Sequence, residues 1–302
     1  MKKKIAVFFN TPGYDSYPFN DRIYVDAYHE LAEIVDGLHG QLIIVRGQRS
    51  YMHDMTFSAS WAYWKGHFSR EDRPVKVDLI FNRSNFVCDE TDTVVNHPDL
   101  EEICTDKVKT YHHFAHLSCK TAIVWKRAEL AGAIESIPSP LVVAKPVDAE
   151  GGKGVFIGPK DEVHGKIKDF PYILQEFLET SGGIPGIAKG RHDFRMIGIE
   201  GEIAAANVRE PKEGSYLSNV SQGGIQTFVP LANIPPEARE FFQAVDHELQ
   251  RFKKRLFSVD VGRDPHGNWK LIELNSKPGM LPSSLFPEAR QFLERTARLL
   301  VS

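Results

Sequence analysis

Residues 141–157 read Leu-Val-Val-Ala-Lys-Pro-Val-Asp-Ala-Glu-Gly-Gly-Lys-Gly-Val-Phe-Ile. The apolar run 141–144 predicts a buried strand that stops at Lys145-Pro146. A loop with Gly151, Gly152 and Gly154 follows, and 155–157 reads as a return strand. Glycines let backbone N–H groups approach an anion, and such concavities bind phosphate. Lys145, at the end of a rigid strand, adds a point charge. The loop is not a Walker A motif, because Val147 stands where its first glycine belongs and Gly154 replaces the Ser/Thr that holds magnesium. It is not a kinase loop either, since there the glycines precede the lysine. Taken alone, the stretch fits either a phosphate cradle or a flexible turn. The rest of the chain decides.

The 302 residues, 42% hydrophobic and 25% charged, suffice for two or three domains. A net charge of −3 argues against a general nucleic-acid partner. Lys2-Lys3-Lys4 leads into an apolar run, 5–9, too short for a signal peptide or membrane span. Cys88, Cys104 and Cys119 are odd in number and widely spaced, which predicts reduced thiols and a cytoplasmic protein. His112, His113 and His116 lack a partner at ligand spacing and read as surface or cap residues.

Over 1–105 the order strand (4–9), helix (23–38), strand (41–45) and strand (78–81) predicts a parallel α/β domain. Ligands gather at the carboxyl ends of such strands, so 10–14 and 82–84, with Arg83, are candidate substrate loops. The aromatic stretch 50–73 is irregular, and either core or a partly substrate-facing helix fits it. Asp106 reads as the N-cap of a helix starting at Lys107. Four glycines and a proline make 181–190 a mobile loop. Hairpins are expected at 194–208, across Glu200-Gly201, and at 256–274, and amphipathic helices from Pro235-Pro236 and over 286–301.

Asp260, Glu273 and Asn275 form a second group. Glu273 and Asn275 share a strand face, and Asp260 can sit opposite on the paired strand. Three oxygen ligands without Cys or His suit Mg²⁺. A third group, Lys107, Lys145, Arg195 and Arg209, suits a polyphosphate held between basic side chains and metal.

From Asp106 to residue 287 the chain resembles the ATP-grasp superfamily, and within it glutathione synthetase, the ribosomal-protein glutamate ligases and D-alanine–D-alanine ligase. The resemblance runs through Asp106-Lys107, Lys145-Pro146 with its glycine loop, Leu174-Gln-Glu-Phe-Leu178, Asp193-x-Arg195, Arg209, Asn219-x-x-Gln-Gly-Gly224, Asp260 and Glu273-Leu-Asn275-x-x-Pro278-Gly279-Met280. It implies an α/β N-terminal domain (1–105) followed by an α+β ATP-grasp module of two subdomains, 106–172 with the glycine loop and 173–302 with the metal site. It places Lys107 and Lys145 on the α- and β-phosphates, and Gly151, Gly152 and Gly154 over the γ-phosphate. Gln175, Glu176 and Leu178 would meet the adenine edge, with Asp193 near the ribose. Asp260, Glu273 and Asn275 would hold two Mg²⁺ ions, which Mn²⁺ can replace. Arg195 and Arg209 would face the γ-phosphate and an acyl phosphate, and Asn219 the substrate. The implied reaction is ligation of a small-molecule or peptide carboxylate to an amine, using ATP. A thiol acceptor and a non-catalytic nucleotide-binding protein are the alternatives. The implied protein meets no membrane or nucleic acid and assembles as a homodimer or homotetramer.

Two departures leave the acceptor open: 181–190 is longer than in glutathione synthetase, and Glu150 and Lys153 stand where relatives differ. The segment 278–287 resembles the one in D-alanine–D-alanine ligase whose Ser-Leu pair, here Ser284-Leu285, holds the amine substrate's carboxylate. Ser283 or Ser284 equally fits the N-cap of the closing helix. The loops 148–154 and 210–224 are expected to close as lids over the nucleotide.

Overall fold

The computed structural model describes residues 2–148, 152–218, 223–286 and 288–302. Gly151, Asn219 and Glu150, and with them parts of both expected lids, lie outside the described residues.

The N-terminal unit comprises β1 (Lys3–Phe9), α1 (Arg22–Gly37), β2 (Gly40–Arg46), β3 (Thr56–Phe57), β4 (Ser60–Trp64), β5 (His67–Glu71), β6 (Val75–Lys76), β7 (Leu79–Asn82), β8 (Val94–Val95) and α2 (Pro98–Thr105). Its main sheet has the order β5-β4-β2-β1-β7-β8, with β2, β1, β7 and β8 parallel. Strand β1 is buried on both faces, as a central parallel strand must be. The aromatic stretch is built of strands and not of a helix. Residues 60–71 form an antiparallel hairpin at the sheet edge, turning through Lys65 (φ 48°) and Gly66 (φ 87°). Phe57 is fully buried, and no residue of 50–73 lines either cavity described below.

The middle unit starts at α3 (Lys107–Phe114), capped by Asp106, whose carboxylate accepts from the Val108 and Lys109 amides at 2.8 and 3.1 Å. β9 (Thr121–Val124), α4 (Leu130–Ser136), β10 (Leu141–Pro146), β11 (Phe156–Pro159), α5 (Val163–Lys166) and β12 (Tyr172–Glu176) follow. The four strands form an antiparallel sheet, β11-β10-β12-β9, with its own small core.

The last unit contains β13 (Asp193–Ile199), β14 (Glu202–Glu210), β15 (Ile225–Phe228), α6 (Pro236–Leu249), β16 (Leu256–Arg263), β17 (Trp269–Asn275) and α7 (Ala289–Val301). Its antiparallel sheet runs β15-β14-β13-β16-β17. The stretch 181–190 is tied down: Ile184 and Ala188 exchange backbone hydrogen bonds at 2.8 and 2.9 Å and are buried in the core of this unit. The glycines there shape a tight turn around an apolar anchor.

Helix α7 leaves its own unit and packs against α1, joining the core of the N-terminal sheet. It begins at Ala289 with Glu288 at the N-cap, so neither Ser283 nor Ser284 caps it. A proline at 287 disfavours helical backbone at Phe286, which moves the start downstream. Asn96 locks the N-terminal unit to the last one. Its amide donates to the Leu256 and Ser276 carbonyls at 2.6 and 2.8 Å and accepts from the Leu256 N–H at 2.7 Å.

Candidate active site

Two adjoining cavities open where the units meet. The first, about 170 Å³, lies between the four-stranded and five-stranded sheets and is lined by Lys107, Lys145, Gly152, Gln175, Leu178 and Asp193 among others. The second, about 610 Å³, lies at the carboxyl ends of β1 and β7 and is lined by Arg83, Arg195, Arg209, Asn275 and Lys277. Lys107 and Glu273 line both. A ligand filling the first cavity can therefore present its end to one filling the second.

Strand register builds the charged wall between them. On neighbouring strands Asp193 pairs with Arg209, Arg195 with Asp260, and Asp260 with Glu273. Directly opposed side chains lie within contact reach, so four consecutive strands deliver alternating charges to one place. Arg195 grips Asp260 with two bonds of 2.7 Å. Arg209 donates to Asp260 and to Asp193, each at 2.6 Å. Burial works against the Asp260 charge, but Arg195 and Arg209 outweigh it and hold its carboxyl below the usual range. Asp193 takes only one guanidinium bond; burial, helped by the Asp260 charge, pushes it upward despite Arg209.

Glu273 and Asn275, two apart on β17, both line the second cavity. A carboxylate offers about four acceptor positions, and three guanidinium bonds leave one, on Asp260 Oδ1. The Asn275 oxygen is held by the Lys277 amide at 2.8 Å. Two carboxylates and an amide fit Mg²⁺, with Glu273 and Asn275 as the cavity-facing ligands.

On the opposite wall, burial lowers the pKa of Lys145 while the Glu273 charge supports it. Its Nζ donates to Gln175 Oε1 at 3.0 Å. The Glu176 amide donates to the Lys120 carbonyl at 2.8 Å. Leu178 lines the cavity one residue beyond the Phe177 ring, against which Tyr216 packs edge-on at 5.2 Å. Gly154 holds φ 68°, and a Cβ there would lie 2.8 Å from Pro146 Cγ.

The structure therefore brings together Lys107, Lys145, Gly152, Gln175, Glu176, Leu178, Asp193 and Glu273 around the first cavity, and Arg83, Arg195, Arg209, Asn275 and Glu273 around the second. Asp260 stands behind that wall, 1% exposed. Arg83 spans the units, donating to the Pro278 carbonyl at 2.5 Å. Ser284 is exposed and lines neither cavity, while the neighbouring Ser283 amide donates to the Glu30 carboxylate at 3.1 and 3.2 Å. Sequence reasoning missed Lys277 and Glu101. Lys277 Nζ donates to Glu101 Oε2 at 3.1 Å, and Asn82 donates to the same oxygen at 3.0 Å. Burial raises Glu101 to about 7 against the pull of Lys277. The sequence offered a signal only for Lys277, two residues past Asn275.

The family model of the RimK-like ATP-grasp domain matches residues 105–285. The chain belongs to that family. Among similar proteins, a probable alpha-L-glutamate ligase of Alkalilimnicola ehrlichii is 27% identical over 153 residues, 49% of this chain and 46% of the relative. The glutathione synthetase of Agrobacterium fabrum is 32% identical over 139 residues, 43% of this chain and 40% of the relative. The match to these ATP-grasp relatives thus spans just under half of their length. The VanG D-Ala:D-Ser ligase of Enterococcus faecalis superposes with a TM-score of 0.67 at 18% identity, covering 100% of both chains. The D-cycloserine synthetase DcsG superposes with a TM-score of 0.66 at 13% identity, covering 98% of this chain and 99% of the other. These likenesses cover the N-terminal unit as well, so the fold of the whole chain is shared with both structures.

Proposed function

We propose that this ATP-grasp chain is an ATP-dependent carboxylate–amine ligase that works through an acyl phosphate and releases ADP and phosphate. The observation that carries the reading is the junction of the two cavities at Lys107 and Glu273. ATP occupies the first cavity, with Lys107 and Lys145 on its phosphates, the Leu178 amide at the adenine edge, and Gly152 and Gly154 close to the γ-phosphate. Its terminal phosphate then meets a substrate carboxylate in the second cavity.

The carboxylate oxygen attacks the γ-phosphorus and the bond to the β–γ bridging oxygen breaks, so ADP leaves with that electron pair. The amine nitrogen then attacks the acyl carbon, the carbon–oxygen bond to phosphate breaks, and the amine's surplus proton passes to solvent or phosphate. Arg195 and Arg209 face the charge that builds on the transferring group, and little other protein chemistry is needed. Bound Mg²⁺, held by Glu273, Asn275 and the remaining position on Asp260, would neutralise phosphate oxygens. The printed names of the relatives, a glutamate ligase and a glutathione synthetase, support carbon–nitrogen ligation. Three free cysteines, two of them buried, support a reducing, cytoplasmic setting. No helix among the described residues is long and apolar enough to cross a membrane.

The test is a screen of amino acids and dipeptides for ADP release that depends on both a carboxylate and an amine, repeated with Glu273→Gln. We expect the variant to fold and to lose on the order of a thousandfold in turnover. A nearly active Glu273→Gln protein contradicts the assignment. Mass analysis of the product separates an amide from a thioester.

A further inference from the structure

Lys145 on β10 and Gln175 on β12 belong to adjacent antiparallel strands. The Lys145 ammonium donates to Gln175 Oε1 at 3.0 Å, and Gln175 Nε2 donates to Thr121 Oγ1 at 3.0 Å. The Thr121 hydroxyl donates in turn to the Cys119 carbonyl at 2.9 Å. That last bond fixes the sense of the relay. A hydroxyl has one proton, and Thr121 commits it to a carbonyl, so its oxygen can only accept from Gln175. The amide nitrogen of Gln175 must then face Thr121 and its oxygen must face Lys145, which settles an orientation that the shape of the amide alone leaves open. Both polar atoms of this side chain are used inside the cavity wall rather than at the base edge.

We infer that Gln175 is a positioning residue for the phosphate-binding Lys145, acting through that ammonium and fixed by Thr121, and is not an adenine contact. This rests on the nucleotide reading above. The choice of an amide has a physical reason. Lys145 has three donors on a flexible stem, and a neutral acceptor orients it without cancelling its charge. A carboxylate at 175 would neutralise the ammonium, repel the phosphates and force Thr121 to turn its proton away from the Cys119 carbonyl. Lys145 is half-buried, where a charge acts more strongly than in water, so an acceptor that leaves the charge intact keeps it for the ligand.

The experiment measures binding of ADP with Mg²⁺, and of adenosine, by calorimetric and NMR titration. The proteins are wild type, Gln175→Met, Gln175→Glu and Thr121→Val. A hydrogen bond to a charged group sets the scale: Gln175→Met should weaken ADP about tenfold. Adenosine binding should stay within about twofold. Gln175→Glu should weaken ADP at least as much, although it retains an acceptor. Thr121→Val, which removes the partner of Gln175 and leaves the Lys145 and Gln175 side chains in place, should act in the same direction and more weakly, and it carries the test if a Gln175 variant fails to fold. Equal losses for ADP and adenosine would show that Gln175 reads the base, and unchanged ADP binding would show that the relay does not position Lys145. Either result overturns the inference. A wild-type protein that binds neither ligand overturns the nucleotide reading itself, and the inference with it.

Discussion

Arg209 and Asp260, 51 residues apart in sequence, meet at 2.6 Å with both side chains buried. Arg209 also holds Asp193, and Arg195 closes the other side of Asp260, so one carboxylate organises two of the arginines that face the second cavity. Removing one partner from such a buried set leaves charge uncompensated, which costs far more than the pair contributes when intact. Asp260→Asn should therefore lower unfolding free energy by about 3 kcal/mol or more, read from urea denaturation. A loss below about 1 kcal/mol, the range of exposed ion pairs, would mean that the quartet is solvated in solution.

Glu101 gives a pH dependence of definite sign. Its folded pKa is raised to about 7 by burial, above the ordinary carboxylate value. The folded state thus binds the extra proton, and stability from this group is present at pH 4 and lost as pH rises towards 7. Glu101→Gln cannot lose it. The difference in stability, variant minus wild type, should grow in the variant's favour between pH 5 and 8, by roughly 2 kcal/mol. A difference that is flat across that range, or that moves the other way, would mean that the pull of Lys277 outweighs the burial of Glu101.

Gly183 tests the turn over 181–190. It holds φ 71°, and a Cβ there would lie 2.3 Å from the Ala188 carbonyl oxygen. Gly183→Ala must displace backbone that anchors Ile184 in the core. We expect a loss of about 2 kcal/mol or more by chemical denaturation. An unchanged midpoint would mean that the stretch is loose after all.

How far the sequence could be read follows from the range of each signal. The strands at 141–146, 256–263 and 269–275 carried their own apolar patterns, and Asp106 announced a helix by local cap chemistry. The aromatic hairpin was also legible in principle. Lys65-Gly66 sits between alternating aromatic residues, the pattern of a two-residue turn with positive φ at both positions. Bulk and irregularity masked it. At 181–190 the glycines signal a mobile loop, and the anchoring role of Ile184 depends on burial in a core built by distant strands. The site residues were recognised singly, but their partners were not. Arg195 and Asp260 are 65 residues apart and Lys277 and Glu101 are 176 apart, and only strand pairing and the docking of α2 join them. The burial of Asp260 behind two arginines is a property of register, which no local pattern reports.

The central claim is that a substrate carboxylate receives the γ-phosphoryl group. The most direct measurement supplies ATP, Mg²⁺ and a pool of amino acids and dipeptides labelled with ¹⁸O in their carboxyl groups, in unlabelled water. The phosphate released is then weighed by mass spectrometry. An acyl phosphate cleaved by an amine leaves one carboxyl oxygen on phosphorus, so the phosphate should carry a single ¹⁸O, matched by an amide product. Phosphate that is released without label comes from attack by water on ATP and would contradict the account.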